Sequence, residues 1–147
     1  MDHRKLSDHF SVAPQIEPED VAKLAEMGFR TLITNRPDEE IEDEEHRSAN
    51  MASLAAKHGM NYHYLPYYPG EMTFDLVADY EAIMKSAPKP AFGYCRSGTR
   101  SSHLWGMSQA GLMELDKIVE TAANAGYDHS SLMPVLKFYA TRRGKNG

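Results

Sequence analysis

The chain has 147 residues, of which 41% are hydrophobic and 25% charged, a composition that suits one soluble globular domain with a buried core. Its formal net charge of −5 disfavours nucleic acid and anionic membranes as partners, because both attract basic surfaces. The single cysteine excludes an internal disulfide, and no apolar run approaches the roughly 18 residues of a membrane span. With no signal-peptide pattern at the N-terminus, we expect a cytoplasmic protein with one domain over residues 1–147.

Strands and helices are predicted to alternate along the chain. Short apolar or β-branched runs indicate the strands, and apolar side chains at helical spacing indicate the helices. In chain order the predicted elements are a strand at 10–16, a helix at 17–28, a strand at 30–35, a helix at 42–58, a strand at 60–67, a helix at 73–87, a strand at 90–95, and helices at 101–112, 115–125 and 130–142. This alternation predicts an α/β fold with a four- or five-stranded, mostly parallel sheet and helices on both faces.

Candidate functional residues follow two of these strands. Cys95 comes at the carboxyl end of one strand, and Asn35 and Arg36 come at the end of another. Ligands of such sheets gather at the carboxyl ends of the strands, so we expect the two loops to face one site.

The segment CRSGTR, residues 95–100, has the composition of an anion-binding loop. A strand, a short loop and a helix start direct backbone N–H groups into one concavity, and the helix dipole adds to the attraction. Gly98 permits a tight turn, while Ser97 or Thr99 can cap the helix that follows. The loop is therefore expected to bind an anion.

Positive charge surrounds the cysteine in this loop. Arg100 offers a fork for an oxyanion and Arg96 adds a second cation, and both favour the thiolate form of Cys95. The alternative is a structural one, since a lone cysteine at a strand end is often an inert small hydrophobe. The combination of Cys, Gly and Arg favours a nucleophile.

Two cysteine chemistries use such a loop. A phosphatase forms a phosphocysteine, whereas a rhodanese-type sulfurtransferase carries sulfane sulfur as a persulfide. Phosphatase loops have one residue more between the cysteine and the arginine. Here four residues separate Cys95 from Arg100, which is the shorter, sulfur-carrying spacing.

The motifs CRSGTRSSHLW, LAEMGFRTLITNRPDEE and the later AGYD resemble the beta-lactamase-hydrolase-like family, domain of unknown function 442. The resemblance covers about residues 10–140. It implies a fold like that of the dual-specificity protein tyrosine phosphatases, and it implies links to persulfide metabolism and a persulfide-metabolising enzyme partner.

The resemblance also implies roles for individual residues. Cys95 would be the nucleophile, the amides of Arg96, Ser97, Gly98, Thr99 and Arg100 would hold the anion, and Arg100 would clamp it. Ser101 would occupy the place of the hydroxyl that helps the thiolate leave. Asn35 and Arg36 match the family's loop after its second strand, where Arg36 would line the pocket.

Two features depart from the phosphatase pattern that the resemblance implies. Tyr94 stands where those enzymes usually have a histidine, and the upstream region that should carry an aspartic general acid contains none. Glu71 and Asp75 are the nearest acids and the candidate replacements. Loss of a general acid lowers a rate by about 10²–10⁴-fold, most severely for alkyl phosphates.

The remaining features point to structure rather than chemistry. No histidine or cysteine spacing predicts a metal, and nothing predicts a cofactor. Tyr67 and Tyr68 are candidate pocket residues because they follow a strand end, whereas Trp105 is expected in the core. The acidic run 38–47 is expected to be a solvated helix start.

The sequence therefore favours a rhodanese-like sulfurtransferase in which Cys95 accepts sulfur from thiosulfate or glutathione persulfide. An external low-molecular-weight thiol would be the acceptor, because the chain has no second cysteine. The alternative is a phosphatase that acts on a phosphate-containing anion. A third hypothesis is a non-catalytic module that senses anions or reactive sulfur.

Overall fold

A computed structural model describes the backbone of residues 1–146 and the side chains of residues 1–143. Five short strands form one sheet: β1 (Arg4–Ser7), β2 (Phe10–Ala13), β3 (Thr31–Thr34), β4 (Asn61–Tyr64) and β5 (Ala91–Tyr94). The helices of the described residues are α1 (Asp20–Glu26), α2 (Ser48–Lys57), α3 (Phe74–Ser86), α4 (Thr99–Gln109), α5 (Leu115–Asn124) and α6 (Met133–Asn146).

The sheet has the order β1-β2-β5-β3-β4, and all neighbours are parallel except β1 and β2. In the shared register, Ala13 and Thr34 lie on either side of Tyr94, the last residue of β5. The predicted fold class, an α/β fold with a mostly parallel sheet of four or five strands, is confirmed. This register brings the carboxyl ends of β2, β3 and β5 together at one edge.

Alternating side chains of the strands divide the core between the two faces of the sheet. Leu32 belongs to a cluster with residues of α1 and α2, whereas its neighbour Ile33 belongs to a cluster with residues of α3 to α6. Both side chains are fully buried, because helices cover both faces. Because both faces of the sheet are buried, these strands are apolar along nearly their whole length.

The predicted helix at 42–58 is too long by six residues at its start. Residues Asp38–Glu40 and Glu44–His46 form separate 3-10 turns, and α2 begins only at Ser48. The Asp38 carboxylate accepts hydrogen bonds from the amide and hydroxyl of Ser48, at 2.8 and 2.6 Å. This contact holds the acidic segment in a loop against the start of α2, a tertiary constraint that helical patterning does not reveal.

Strand β1 was missed by the sequence analysis, because Arg4–Ser7 has no apolar alternation beyond the buried Leu6. It pairs antiparallel with β2 across a tight turn. Within the described residues, no helix has the length and apolarity needed to cross a membrane.

The close packing of Gly93 against Phe10 leads to a first prediction. A Cβ added at Gly93 would lie 2.7 Å from Cζ of Phe10, whose ring is 2% exposed. We expect Gly93→Ala to lower the free energy of unfolding by about 1–3 kcal/mol, because the core would be overpacked. Urea denaturation measures the effect.

The double variant Gly93→Ala with Phe10→Leu provides the control. It should recover part of the loss, since the smaller side chain vacates the contested space. An unfolding midpoint for Gly93→Ala equal to that of the wild type would contradict the packing described here.

Candidate active site

The loop of residues 95–98 joins β5 to α4 at the carboxyl edge of the sheet. The carbonyl oxygen of Ala13 accepts from the Cys95 amide at 3.4 Å, and that of Arg96 accepts from the Gln15 amide at 3.3 Å. These bonds continue the pairing of β2 and β5 past the end of the strands. The backbone around Cys95 is thereby fixed to the sheet.

Gly98 shapes the loop around the sulfur. Its amide donates a hydrogen bond to Cys95 Sγ at 3.1 Å, and its φ of +90° is a conformation that favours glycine. A Cβ at this position would lie 2.3 Å from the Tyr127 hydroxyl and 3.2 Å from the carbonyl carbon of Ala13. Both the backbone angle and the close neighbours therefore require glycine here.

The start of α4 agrees only in part with the predicted cap at Ser97 or Thr99. The cap residue is Gly98, and Ser97 Oγ accepts from the amide of Thr99, the first helical residue, at 3.3 Å. Among residues 1–146, neither the Arg96 amide nor the Ser97 amide donates a hydrogen bond. Both amides remain available to an anion in the loop.

Cys95 itself is fully buried. Arg96, Ser97 and Thr99 are exposed around it, so the sulfur lies beneath a surface loop rather than within the apolar core. A reactant can touch Sγ only after the loop or its side chains move.

Arg100 is held by an acid that the sequence analysis did not select. Its Nη1 and Nη2 donate to the two carboxylate oxygens of Glu40, each at 2.8 Å, and Nη1 also donates to the Tyr67 carbonyl at 2.7 Å. The hydrogen bond from Arg100 is the largest cause that lowers the pKa of Glu40, and the same bond raises the pKa of Arg100. The pair is therefore ionised, bidentate and mostly enclosed.

Asn35 and Ser101 form a buried hydrogen-bonded link beneath this pair. Ser101 Oγ donates to Asn35 Oδ1 at 2.8 Å, and Asn35 Nδ2 donates to the Leu65 carbonyl at 2.9 Å. Both side chains are at most 1% exposed. In this arrangement the Ser101 hydroxyl ties α4 to the end of β3.

Arg36 extends the network towards β2. Its guanidinium donates to Gln15 Oε1 at 3.2 Å and to the Glu40 carbonyl at 3.1 Å, while Nε lies 3.7 Å from a carboxylate oxygen of Glu40. Glu40 therefore lies between two arginines. The two loops that the sequence placed at one site do meet, through this carboxylate.

The remaining sequence-predicted residues lie around this centre or away from it. Tyr67 is 6% exposed, and burial is the largest cause that raises the pKa of its hydroxyl. Tyr68 is exposed and donates to Glu39. Glu71 and Asp75 are also exposed, in the turn before α3 and in its first turn, and neither hydrogen-bonds to the loop within residues 1–146. Their role as proton donors stays a prediction.

A second set of contacts, centred on His129, holds the first turn of α4. Ser102 Oγ donates to the Thr99 carbonyl at 2.6 Å and lies 3.1 Å from His129 Nε2. The hydroxyl has one proton and uses it on Thr99, so His129 donates from Nε2 and its buried Nδ1 carries a lone pair without a partner. Gly106 leaves room for the ring, since a Cβ there would lie 3.0 Å from it.

Burial keeps the His129 ring neutral. Burial lowers its pKa to about 4, with a smaller contribution from His103, whose ring centroid is 5.2 Å away, and an opposing one from Asp128. No spacing or composition pattern marks this histidine as a site residue in the sequence. Its position next to the family-like AGYD motif was the available signal.

The chain matches one protein family over most of its length. Residues 2–112 match the family described as "Beta-lactamase hydrolase-like protein, phosphatase-like domain". This chain belongs to that family. The resemblance inferred from CRSGTRSSHLW and its companion motifs is thereby confirmed.

Individual relatives agree with this membership. A beta-lactamase hydrolase-like protein of Agrobacterium fabrum is 26% identical over 126 residues, which are 84% of this chain but 29% of the relative. This chain therefore spans less than a third of that protein. A crystallised candidate phosphatase from Neisseria meningitidis is 30% identical, with a TM-score of 0.82 and coverage of 95% of this chain and 99% of that one.

The fold extends to more distant phosphatases. A kinase-associated phosphatase, crystallised with its catalytic-site cysteine replaced by serine, is 13% identical with a TM-score of 0.68. The structural match covers 98% of this chain and 93% of the chain of that phosphatase. The protein-tyrosine-phosphatase-like fold implied by the sequence resemblance is thereby confirmed, and the family supports an enzyme of the phosphatase kind.

The neutral state of His129 predicts a pH dependence of stability. Its folded pKa of about 4 lies below the unfolded value of 6.5, so the unfolded chain binds the extra proton between these values. The neutral ring contributes its full stability above pH 6.5. This contribution, up to about 3 kcal/mol, is lost as the pH falls from 6.5 through about 4.

The comparison variant is His129→Gln, which retains an N–H donor and does not titrate. Urea unfolding from pH 7 to 4 should show a smaller loss of stability for the variant than for the wild type. His58→Gln, at an exposed position, controls for removal of an imidazole. Parallel curves for wild type and His129→Gln would contradict a neutral, buried His129.

Proposed function

We propose that this chain is a cysteine-dependent phosphatase that cleaves phosphate monoesters through a phosphocysteine at Cys95. The observation that carries the proposal is the loop itself: the Gly98 amide donates to Sγ while Arg100, oriented by Glu40, follows in the first turn of α4. The family match over residues 2–112 supports the phosphatase class over the sulfurtransferase that the sequence favoured.

Arg100 retains donors for a phosphate after its internal contacts are made. Nη1 uses both of its hydrogens on Glu40 and Tyr67, and Nη2 uses one on Glu40. Within residues 1–146, Nε–H and the second Nη2–H have no acceptor, and together they form one edge of the guanidinium. This edge matches two oxygens of a phosphate, as arginine forks commonly do.

The reaction proceeds in two displacements at phosphorus. The Cys95 thiolate attacks the phosphoryl group, the S–P bond forms as the bond to the ester oxygen breaks, and the alkoxide or aryloxide leaves. Water then attacks the phosphocysteine, releases inorganic phosphate and regenerates the thiolate. Arg100 and the Arg96 and Ser97 amides stabilise the charge on the phosphoryl oxygens through both steps.

The shortage of a proton donor at the loop determines which substrates suit this site. Glu40 is the nearest acid by hydrogen bonding, but its lowered pKa keeps it ionised and unable to protonate a leaving group. Glu71 and Asp75 stay candidate donors on the exposed surface. Without a donor, aryl esters are favoured substrates, since an aryloxide leaves without a proton.

Sulfur transfer is a second candidate, favoured by the loop length of four residues between Cys95 and Arg100. In that reaction the Cys95 thiolate attacks the outer sulfur of thiosulfate, the S–S bond of thiosulfate breaks and sulfite leaves. The resulting Cys95 persulfide passes its sulfur to an external low-molecular-weight thiol. The shorter loop would surround sulfur closely.

Activity assays with Cys95→Ser test the phosphatase. We expect wild-type protein to hydrolyse p-nitrophenyl phosphate and the variant to be inactive, because serine lacks the thiolate nucleophile. The ratio of kcat/KM for this aryl ester to that for glycerol phosphate should exceed about 10², since only the alkyl leaving group needs a proton.

Intact mass separates the competing functions. Incubation with thiosulfate should leave a phosphatase unchanged, whereas a thiol-reversible gain of one sulfur atom that depends on Cys95 would replace the proposal by sulfur transfer. Binding of inorganic phosphate without turnover of either substrate would identify a non-catalytic anion-binding module.

The pairing of Arg100 with Glu40 predicts the effect of Glu40→Gln. The neutral amide offers one acceptor oxygen instead of two, so the guanidinium loses its fixed orientation. We expect kcat for p-nitrophenyl phosphate to fall by roughly 10–100-fold, the range caused by small misplacements of catalytic groups.

Glu42→Gln is the matched control, because it makes the same charge change at a nearby, exposed position. Its kcat should remain within about twofold of the wild type, as expected for a substitution outside the site. Equal kcat values for Glu40→Gln and wild type would show that Arg100 does not depend on this carboxylate.

A further inference from the structure

A cavity lies at the end of the sheet opposite Cys95. Its wall includes Phe10, at the start of β2, and Gln109, at the end of α4, whereas the Cys95 loop joins the other ends of this sheet and helix. Thr99 and Gln109 are ten steps apart along α4, which is roughly 15 Å at the α-helical rise. The cavity is therefore separate from the candidate active site.

The cavity has the size and lining of a small-molecule site. Its volume is about 580 Å³, within the range of roughly 300–1,000 Å³ that is usual for ligand pockets. Most of the wall is apolar and is formed by Leu6, Phe10, Met84, Trp105, Leu112 and Met113. Leu112 is 67% exposed, so part of this apolar lining faces solvent.

The charge around the cavity is positive. Lys85 and Lys89 line it, and neither forms a salt bridge with the residues that the structure describes. Glu81 is the only carboxylate among the lining residues, and Arg143 and the Tyr139 hydroxyl bind it. Because Glu81 is already neutralised, the two lysines remain uncompensated.

Tyr80 adds an unused polar group to the wall. The residue is 1% exposed, its ring packs edge-on against Phe10, and its hydroxyl has no hydrogen-bond partner within residues 1–146. A buried hydroxyl without a partner carries a free-energy cost that an acceptor oxygen would remove.

We propose that this cavity binds a small amphiphile, an apolar chain that ends in a carboxylate. The apolar wall takes the chain, and Lys85 and Lys89 attract the carboxylate. The proposal is independent of the phosphatase, because the cavity shares no residue with the Cys95 loop. Cys95→Ser should bind the amphiphile as the wild type does.

Trp105 provides the measurement, because it is the only tryptophan in the chain and lines the cavity. We expect titration with decanoate, below its micelle concentration, to change the Trp105 fluorescence saturably. Decanol, which has the same chain length without the charge, should bind about tenfold more weakly, since it forgoes two partly exposed ion pairs.

Two double variants locate the carboxylate. Lys85→Met with Lys89→Met should weaken decanoate binding by about tenfold and leave decanol binding unchanged. Lys57→Met with Lys137→Met removes the same charge at exposed positions outside the cavity and should leave both affinities unchanged. Circular dichroism checks that each variant is folded, as expected for substitutions near the surface.

Three results would overturn the proposal. They are a linear, unsaturable response to decanoate, equal affinities for decanoate and decanol, and an equal loss of decanoate binding in both double variants. Calorimetric titration gives the same test without relying on fluorescence. A saturable, lysine-dependent preference for decanoate supports the site.

Discussion

The ion pair between Arg100 and Glu40 holds the parts of this site together. Arg100 belongs to the helix after β5, Glu40 to the loop after β3, and the Tyr67 carbonyl, which accepts from the same guanidinium, to the segment after β4. Three loops at the carboxyl edge of the sheet thus meet on one cation. Because the pair is mostly enclosed, each partner depends on the other to compensate its lost hydration. This contact fixes the position of Arg100 at the end of the segment 95–100.

Beneath the ion pair, neutral hydrogen bonds fix the first turn of α4 from two sides. Ser101 is bound to Asn35 on the β3 side, and Ser102 is bound to His129 on the side of the C-terminal helices. Both hydroxyls are fully buried, so an unmade bond at either would be costly. The start of α4 is therefore held rigidly, so the movement that exposes the buried Cys95 sulfur falls to the loop residues and their side chains.

Much of the fold and part of the site could be predicted from the sequence. Strands β3 and β5 were predicted from short apolar runs, and α3 was predicted because helical periodicity is a local pattern. The convergence of Asn35 and Cys95 was also predictable, since parallel strands end at the same edge. The roles of Glu40 and His129 were not predictable. Their partners, Arg100 and Ser102, lie 60 and 27 positions away in the chain.

The acidic segment 38–47 shows why such distant contacts escape a local pattern. Its charges suggested a solvated helix start, yet Asp38 fixes the start of α2 and Glu40 binds Arg100. A run of carboxylates has the same local pattern whether its members face water or a buried guanidinium. Only the partner distinguishes the two cases.

The sequence by itself determined the α/β alternation, the family, and the loop that places Cys95, Gly98 and Arg100 at a helix start. These features depend on neighbouring residues and on backbone conformation, which a linear pattern records. The tertiary structure alone decided which carboxylate orients Arg100, which tautomer His129 adopts, and that a cavity with two uncompensated lysines lies at the far end of α4. Each of these depends on desolvation and on partners brought together by packing, because the free energy of a buried charge or donor depends on its surroundings in space.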